Sequence, residues 1–82
     1  MATELELDVR ELEPPEPLTR VLAAAEQLVA GSRIRMLQRF EPFPLYGLLD
    51  QRGFCYRVEQ PTVNRFEIVI WRADDPASGA AP

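Results

Sequence analysis

Hydrophobic and polar residues alternate along four stretches of the chain, and this period of two predicts four β-strands. In the first stretch Leu5, Leu7 and Val9 alternate with Glu6 and Asp8, as in a strand with one buried face. The four predicted strands cover residues 5–9, 33–38, 54–59 and 66–71. Residues 60–64, which contain a proline, are predicted to form the turn between the last two strands.

Two stretches between the strands instead repeat their hydrophobic residues every three or four positions, which predicts helices. The first helix starts near Pro17, and Gly31 is expected to end it in a left-handed conformation. Its apolar stripe consists of Leu18, Val21, Leu22, Ala25, Leu28 and Val29. The second helix is predicted over residues 44–52, with Gly53 as its stop and an apolar stripe of Leu45, Leu48 and Leu49.

The order β-α-β-α-β-β predicts an α+β fold in which two layers pack together. Right-handed crossovers place both helices on one face of a four-stranded mixed sheet, and the last two strands form a hairpin. Residues 1–72 are expected to form a single domain. Residues 73–82 are small, acidic and contain prolines, and they are predicted to be a disordered tail.

The sheet face opposite the helices is one candidate contact surface, because the pattern predicts an apolar patch on it. Tryptophan and arginine are enriched where proteins meet. The alternative is that the tail or long arginine stems cover the patch. The candidate residues on this open face are Arg35, Leu37, Cys55, Arg57, Val69 and Trp71.

Charge is distributed unevenly along the 82 residues, although the net charge is only −4. Residues 1–17 carry six acids against one arginine, whereas residues 18–72 carry eight arginines against five acids. The acidic balance argues against nucleic acid as a partner, since phosphate contacts need a basic face. The apolar runs are too short to span a membrane and no basic leader precedes them, so a cytoplasmic protein with no membrane contact is expected.

Catalytic and metal chemistry is not expected from the composition. The chain contains no histidine, the commonest transition-metal ligand and general base, and its single cysteine, Cys55, excludes an internal disulfide. We therefore predict no catalytic residues, no metal and no cofactor. Cys55 could be a reactive thiol if Arg57 lowers its pKa, but a cysteine within a strand is more often a packing residue.

The corner between the first strand and the first helix is the other candidate site. The segment LELDVRELEPPEP carries three prolines that prevent strand pairing and hold the backbone extended. If the first two strands are parallel neighbours, the corners after them lie side by side at the carboxyl edge, where ligands usually bind in such sheets. The alternative is that the prolines only set the corner geometry and start the helices. The candidate contact residues are Arg10, Glu13, Pro14, Pro15, Glu16, Pro17, Arg39 and Tyr46.

The proline corner and the order of elements resemble the TusA and SirA-like proteins, small sulfur carriers with a Cys-Pro-x-Pro box at the start of the first helix. Pro15, Glu16 and Pro17 match the Pro-x-Pro part of the box, but Pro14 stands where the cysteine would be. The resemblance therefore implies the fold and not the persulfide chemistry. The chain looks closer to an uncharacterised TusA-like subfamily that shares a second box, here Glu41, Pro42, Phe43, Pro44, Leu45, Tyr46.

These features favour a non-enzymatic, cytosolic TusA-like adaptor or regulatory protein. It would contact an unidentified protein partner, or a second copy of itself, through the corners or the open sheet face. One alternative is a sulfur-transfer or thiol-redox protein that uses Cys55. The other is a domain that binds a small anion or a cofactor at the N-termini of its helices.

Overall fold

The computed structural model describes residues 3–75 and contains four strands and two helices in the predicted order. The α+β fold class is therefore confirmed. Its elements are β1 (Thr3–Asp8), α1 (Glu16–Glu26), β2 (Ser32–Gln38), α2 (Phe43–Gln51), β3 (Phe54–Thr62) and β4 (Arg65–Arg72). Within residues 3–75, no helix has both the length and the hydrophobicity to cross a membrane.

The strands form one mixed sheet in the order β1-β2-β4-β3. β1 runs parallel to β2, whereas β4 runs antiparallel to both of its neighbours. β1 and β3 are therefore the two edge strands. Because β1 and β2 are parallel neighbours, the corners that follow them meet at the same edge of the sheet, as the sequence predicted.

The core lies between the sheet and the two helices. In the sheet, Ile34 pairs with Ile70 and Met36 pairs with Ile68 across the two central strands. These four side chains pack with buried residues of α1 and α2, each of which is removed from water almost entirely. Burial of one such side chain contributes roughly 1.5–3 kcal/mol, so this cluster holds the layers together. The helical members of the cluster are Val21, Ala25, Leu45 and Leu49.

α1 is shorter than its hydrophobic stripe predicted. The helix ends at Glu26, and the next amide groups make tighter turns, with Leu28 N donating to Ala25 O at 3.0 Å. Val29 is 61% exposed and is not part of a buried stripe. Gly31 does adopt a positive φ of 85°, but it turns the chain into β2 and does not end the helix directly.

The connection between β3 and β4 is also tighter than predicted. Gln60 and Pro61 belong to β3, whose pairing with β4 becomes irregular after Glu59 and resumes where Thr62 pairs with Arg65. A proline is tolerated there because β3 is an edge strand, where a backbone donor can be missing. The predicted five-residue turn was therefore wrong, and the chain reverses direction over residues 63–64.

The predicted disordered tail overlaps the described residues only at its first three positions. Ala73 N donates to Gly53 O at 2.9 Å, and Gly31 N donates to the Asp75 carboxylate at 2.6 Å. These two bonds fasten the end of β4 to the loops before β2 and β3. The rest of the predicted tail lies outside the described residues, as do residues 1–2 of the predicted domain.

Candidate functional site

The two corners at the carboxyl edge enclose a groove of about 350 Å³ that is lined mainly by apolar side chains. One wall comes from the corner between β1 and α1, and the other comes from the corner between β2 and α2. We call this feature the proline groove, because five of its ten lining residues are prolines: Pro14, Pro15, Pro17, Pro42 and Pro44.

The prolines shape the groove by the way they start the two helices. Pro15 is the N-cap of α1 and Pro42 is the N-cap of α2. The peptide bond between Pro14 and Pro15 is cis. A proline at the start of a helix leaves no backbone N–H without a partner, and its ring fixes φ. The walls of the groove are therefore rigid and poor in hydrogen-bond donors.

Two aromatic side chains lie exposed at this edge of the molecule. Phe40 lines the groove and is 73% exposed, and Phe43, between Pro42 and Pro44, is 69% exposed. The apolar surface of both rings is exposed to water and could be buried in a contact with a partner. Neither phenylalanine is among the contact residues predicted from the sequence, because neither belongs to an alternating or helical stripe. Their position close to Pro42 and Pro44 is the sequence feature that could have identified them as contact residues.

Tyr46 lies on α2 and supports the groove without lining it. Its hydroxyl donates a hydrogen bond to Glu41 Oε2 at 3.1 Å, and Glu41 is one of the lining residues. The ring stacks on Tyr56, with centroids 4.7 Å apart. Burial, together with the neighbouring Glu41 carboxylate, raises the pKa of the Tyr46 hydroxyl above its usual range. The side chain therefore stays neutral and holds Glu41 in place.

A second cleft, also of about 350 Å³, continues from the proline groove toward the start of the β1 corner. Pro14, Pro17 and Phe40 line both spaces. The second cleft also contains Arg10, Glu13 and Arg39, and we call it the charged cleft. An apolar surface and a charged surface thus lie next to each other at one edge.

The charged groups of this cleft differ in how they are partnered. Arg10 binds the Asp8 carboxylate through two bonds of 2.9 and 2.8 Å, and this contact lowers the pKa of Asp8 to about 2. Within residues 3–75, neither Glu13 nor Arg39 has an oppositely charged group within 4 Å. Those two side chains can therefore respond to a ligand without breaking an ion pair.

The structure brings together most of the residues predicted at the corners. Six of them line the proline groove, the charged cleft or both, whereas two do not. Glu16 projects from the first turn of α1, where its carboxylate lies 3.9 Å from Arg20, and Tyr46 lies behind Glu41. The six lining residues are Arg10, Glu13, Pro14, Pro15, Pro17 and Arg39.

The open sheet face differs from the expected apolar patch. The strand register places Arg35, Val69 and Arg57 in one row across three strands, so they share a face as predicted. However, Leu37 is 2% exposed and Val69 is fully buried. The predicted apolar patch is therefore not exposed at these two positions, and Trp71, in register with Cys55, is half-buried.

Charged side chains form a continuous network over this face. The Arg35 guanidinium donates to Glu4 at 3.0 Å, to Glu59 at 3.1 Å and to Glu67 at 2.7 Å, which connects it to β1, β3 and β4. Each of these carboxylates also pairs with a second arginine. We call this set the arginine-glutamate network, and its members are Glu4, Arg33, Arg35, Arg57, Glu59, Arg65 and Glu67.

Cys55 is a free, half-buried cysteine on β3. Arg57, the cation that a reactive Cys55 would need, donates through Nε to Glu59 at 3.0 Å. A guanidinium that already binds a carboxylate stabilises a neighbouring thiolate less, because the two charges largely offset each other. The surroundings of Cys55 therefore favour its interpretation as a packing residue.

Comparison with known proteins gave one family match. The family model described as "Uncharacterized conserved protein (DUF2249)" matches residues 6–72, which run from β1 to the end of β4 and include both corners. No curated protein and no solved structure matches the chain.

Proposed function

We propose that this chain, which belongs to the family of uncharacterized conserved proteins (DUF2249), is a non-enzymatic protein-binding module that receives an apolar segment of a partner in the proline groove. The observation that carries the proposal is the groove itself, with five prolines in its walls and an exposed phenylalanine beside them. A partner segment that covers Phe40 would remove from water a ring that is now mostly hydrated.

The chemistry of the groove supports binding over catalysis. Of the ten residues that line it, Gln38 and Glu41 are the only ones with polar side chains. The Glu41 carboxylate already accepts the hydrogen bond from Tyr46. A surface with few donors is suited to aliphatic or aromatic side chains, which make no demand for hydrogen bonds.

The rigidity of the walls also supports binding of an extended polypeptide segment. Ordering of side chains and loops opposes association by about 0.5–1.5 kcal/mol for each flexible side chain that is immobilised. Pro14, Pro15, Pro17, Pro42 and Pro44 have almost no such freedom to lose. A groove of this size accommodates a few side chains, so a short segment of the partner is a suitable occupant.

The resemblance to the TusA and SirA-like carriers supports the same location. In those proteins the corner before the first helix is the working site, and here that corner forms one wall of the groove. Pro14, at the position of the carrier cysteine, has no atom that can hold a persulfide. We propose that this TusA-like protein kept the contact surface of the corner without sulfur transfer.

The test is selection of peptides from a random displayed library against the intact protein, followed by affinity measurement on variants. Phe40→Ala should weaken the selected peptides at least tenfold, because truncation of a central aromatic hot spot typically costs about 2 kcal/mol or more and about 1.4 kcal/mol corresponds to a factor of ten. Val29→Ala is the matched control, since Val29 is also exposed but lies before β2, at the opposite edge of the sheet.

Two results would refute the proposal. One is a selection that yields no binding peptide. The other is a set of peptides whose affinities are the same for wild type, Phe40→Ala and Val29→Ala, because such peptides would bind elsewhere on the molecule.

A further inference from the structure

The arginines of this protein are almost all engaged within the molecule. Eight of the nine have a carboxylate oxygen within 4 Å of the guanidinium: Arg10, Arg20, Arg33, Arg35, Arg52, Arg57, Arg65 and Arg72. Arg39 is the exception among residues 3–75. It is exposed and its backbone N–H donates to the Gln38 side chain at 3.2 Å, while its guanidinium pairs with no carboxylate of the described residues.

Arg39 lies where the charged cleft adjoins the proline groove. Arg39 lines the charged cleft, and the next residue, Phe40, lines both this cleft and the proline groove. Successive side chains of an extended segment point to opposite faces, so side chains two positions apart point the same way and lie about 7 Å from each other, which lets one segment place them at both surfaces. An apolar side chain in the groove would thus bring the side chain two positions along the partner segment within reach of Arg39.

We infer that the partner segment carries an acidic side chain beside its apolar anchor and that the Arg39 guanidinium binds this carboxylate. The inference rests on the proposed binding function of the proline groove. Guanidinium and carboxylate groups form paired hydrogen bonds that are stronger than neutral ones. Arg10 is less suited to this role, because the Asp8 carboxylate, to which it makes two bonds, already offsets its charge.

Glu13 limits the charge that the cleft accepts. Its carboxylate lines the same cleft and has no ion-pair partner within the described part of the chain. It repels any negative group, a repulsion that the Arg39 guanidinium must offset, and it can accept a hydrogen bond from a backbone N–H of the partner. The cleft therefore favours a single carboxylate, and it opposes a run of phosphates such as a nucleic acid presents.

The experiment uses the peptides selected against the full chain, each paired with a synthetic version in which Asp or Glu is replaced by Asn or Gln. The amide version should bind wild type about tenfold more weakly, as expected for the loss of a charge-assisted hydrogen bond. Arg39→Glu should weaken the acidic peptide at least tenfold and leave the amide version nearly unchanged. Arg20→Glu, a charge-matched change on α1 outside both clefts, should alter neither.

The outcomes separate this inference from the function on which it rests. Equal binding of acidic and amide peptides, or equal effects of Arg39→Glu and Arg20→Glu, would overturn the acidic subsite. If the same peptides were still weakened by Phe40→Ala, the groove would remain as the binding site. A selection without binders, or one whose peptides ignore Phe40→Ala, would overturn both.

Discussion

The open sheet face and the carboxyl edge around the proline groove both contain hydrophobic residues and arginines, but these residues are buried or paired on the open face, whereas Phe40 and Arg39 are exposed at the edge. On the open face, Leu37 and Val69 are buried and the arginines bind glutamates of other strands. At the carboxyl edge, Phe40 is exposed and Arg39 has no carboxylate partner among residues 3–75. Groups that satisfy one another stabilise the fold, whereas groups left unsatisfied on a rigid edge are available to a partner.

The paired charges on the open face shift one another's pKa values. Hydrogen bonds from Arg35 are the largest cause that lowers the pKa of Glu4 and of Glu59 below the usual value of 4.5. In return, these carboxylates raise the pKa of Arg35 above its usual range. Glu4, Glu59 and Arg35 therefore remain ionised at neutral pH, and both carboxylates pair with Arg35 across the sheet.

The largest expected difference between the two regions concerns their hydrophobic side chains. Leu37→Ala should lower the free energy of unfolding by about 3 kcal/mol, because it removes a buried side chain and leaves a cavity. Phe40→Ala, three residues later, should change it by less than about 0.5 kcal/mol, since that ring is exposed. Denaturant titration, followed through the fluorescence of Trp71, the only tryptophan, measures both.

A small effect of Leu37→Ala would contradict the buried placement of this residue and would restore an exposed apolar patch to the open face. A large effect of Phe40→Ala would instead make the groove part of the core. Either result would remove the contrast between the two regions.

Charge reversal tests the same contrast on the arginines. Arg35→Glu should lower the free energy of unfolding by about 2 kcal/mol, because it places a fourth carboxylate among Glu4, Glu59 and Glu67. This value lies below the 3–5 kcal/mol typical of a buried pair, since water reaches these side chains. Arg39→Glu makes the same change in net charge and should alter stability by less than about 0.5 kcal/mol. Equal losses in the two variants would show that overall charge, and not the network, sets the effect.

Acid should weaken the open face over a defined pH range. The pKa values of Glu4 and Glu59 are lowered from 4.5 by Arg35, and that of Asp8 is lowered from 3.8 to about 2 by Arg10. Because the folded values lie below the unfolded ones, these carboxylates stabilise the fold above about pH 4.5. Their contribution is lost as the pH falls from there toward 2.

The expected loss is about 1 kcal/mol in all, since ion pairs reached by water contribute roughly 0–1 kcal/mol each. Denaturant midpoints at pH 6, 4 and 3 would measure it. Arg35→Gln should flatten the dependence, because it removes the largest cause of the shifts of Glu4 and Glu59. An unchanged slope in that variant would mean that Arg35 does not control these carboxylates in solution.

Local patterns predicted the elements of this fold because the core lies on one face of each element. The alternation of Ile34 and Met36, or of Ile68 and Ile70, follows directly from a strand whose inner face is buried. The end of α1 and the length of β3 were harder to predict. They depend on contacts that a periodic pattern does not show, such as the long-range bond from Gly31 to Asp75 and the pairing of Thr62 with Arg65 beyond an irregular stretch of β3.

One part of the candidate site, the position of its two corners, could also be predicted from the sequence. The parallel order of β1 and β2 brings the two proline corners side by side, as the sequence predicted, and they enclose the groove. The burial of Leu37 could not be predicted in the same way, because it depends on which side chains of other strands lie over it. Phe40 was missed because an exposed aromatic residue in a loop leaves no periodic signal.

The smallest expected effect concerns the hydrogen bond that ties the side chain of Glu41, a groove residue, to α2. Tyr46→Phe keeps the ring that stacks on Tyr56 and removes the hydroxyl that donates to Glu41 at 3.1 Å. Net hydrogen-bond contributions are about 0.5–1.5 kcal/mol, and partial exposure places this one near 0.5 kcal/mol. Peptide binding should fall more clearly than stability, since the released Glu41 carboxylate would move freely within the groove.

Denaturant titration and peptide affinity, measured on the same samples with Tyr56→Phe as the control for loss of a tyrosine hydroxyl, test both parts. A loss of stability as large as that of Leu37→Ala would place the groove with the open face, as a region that serves the fold.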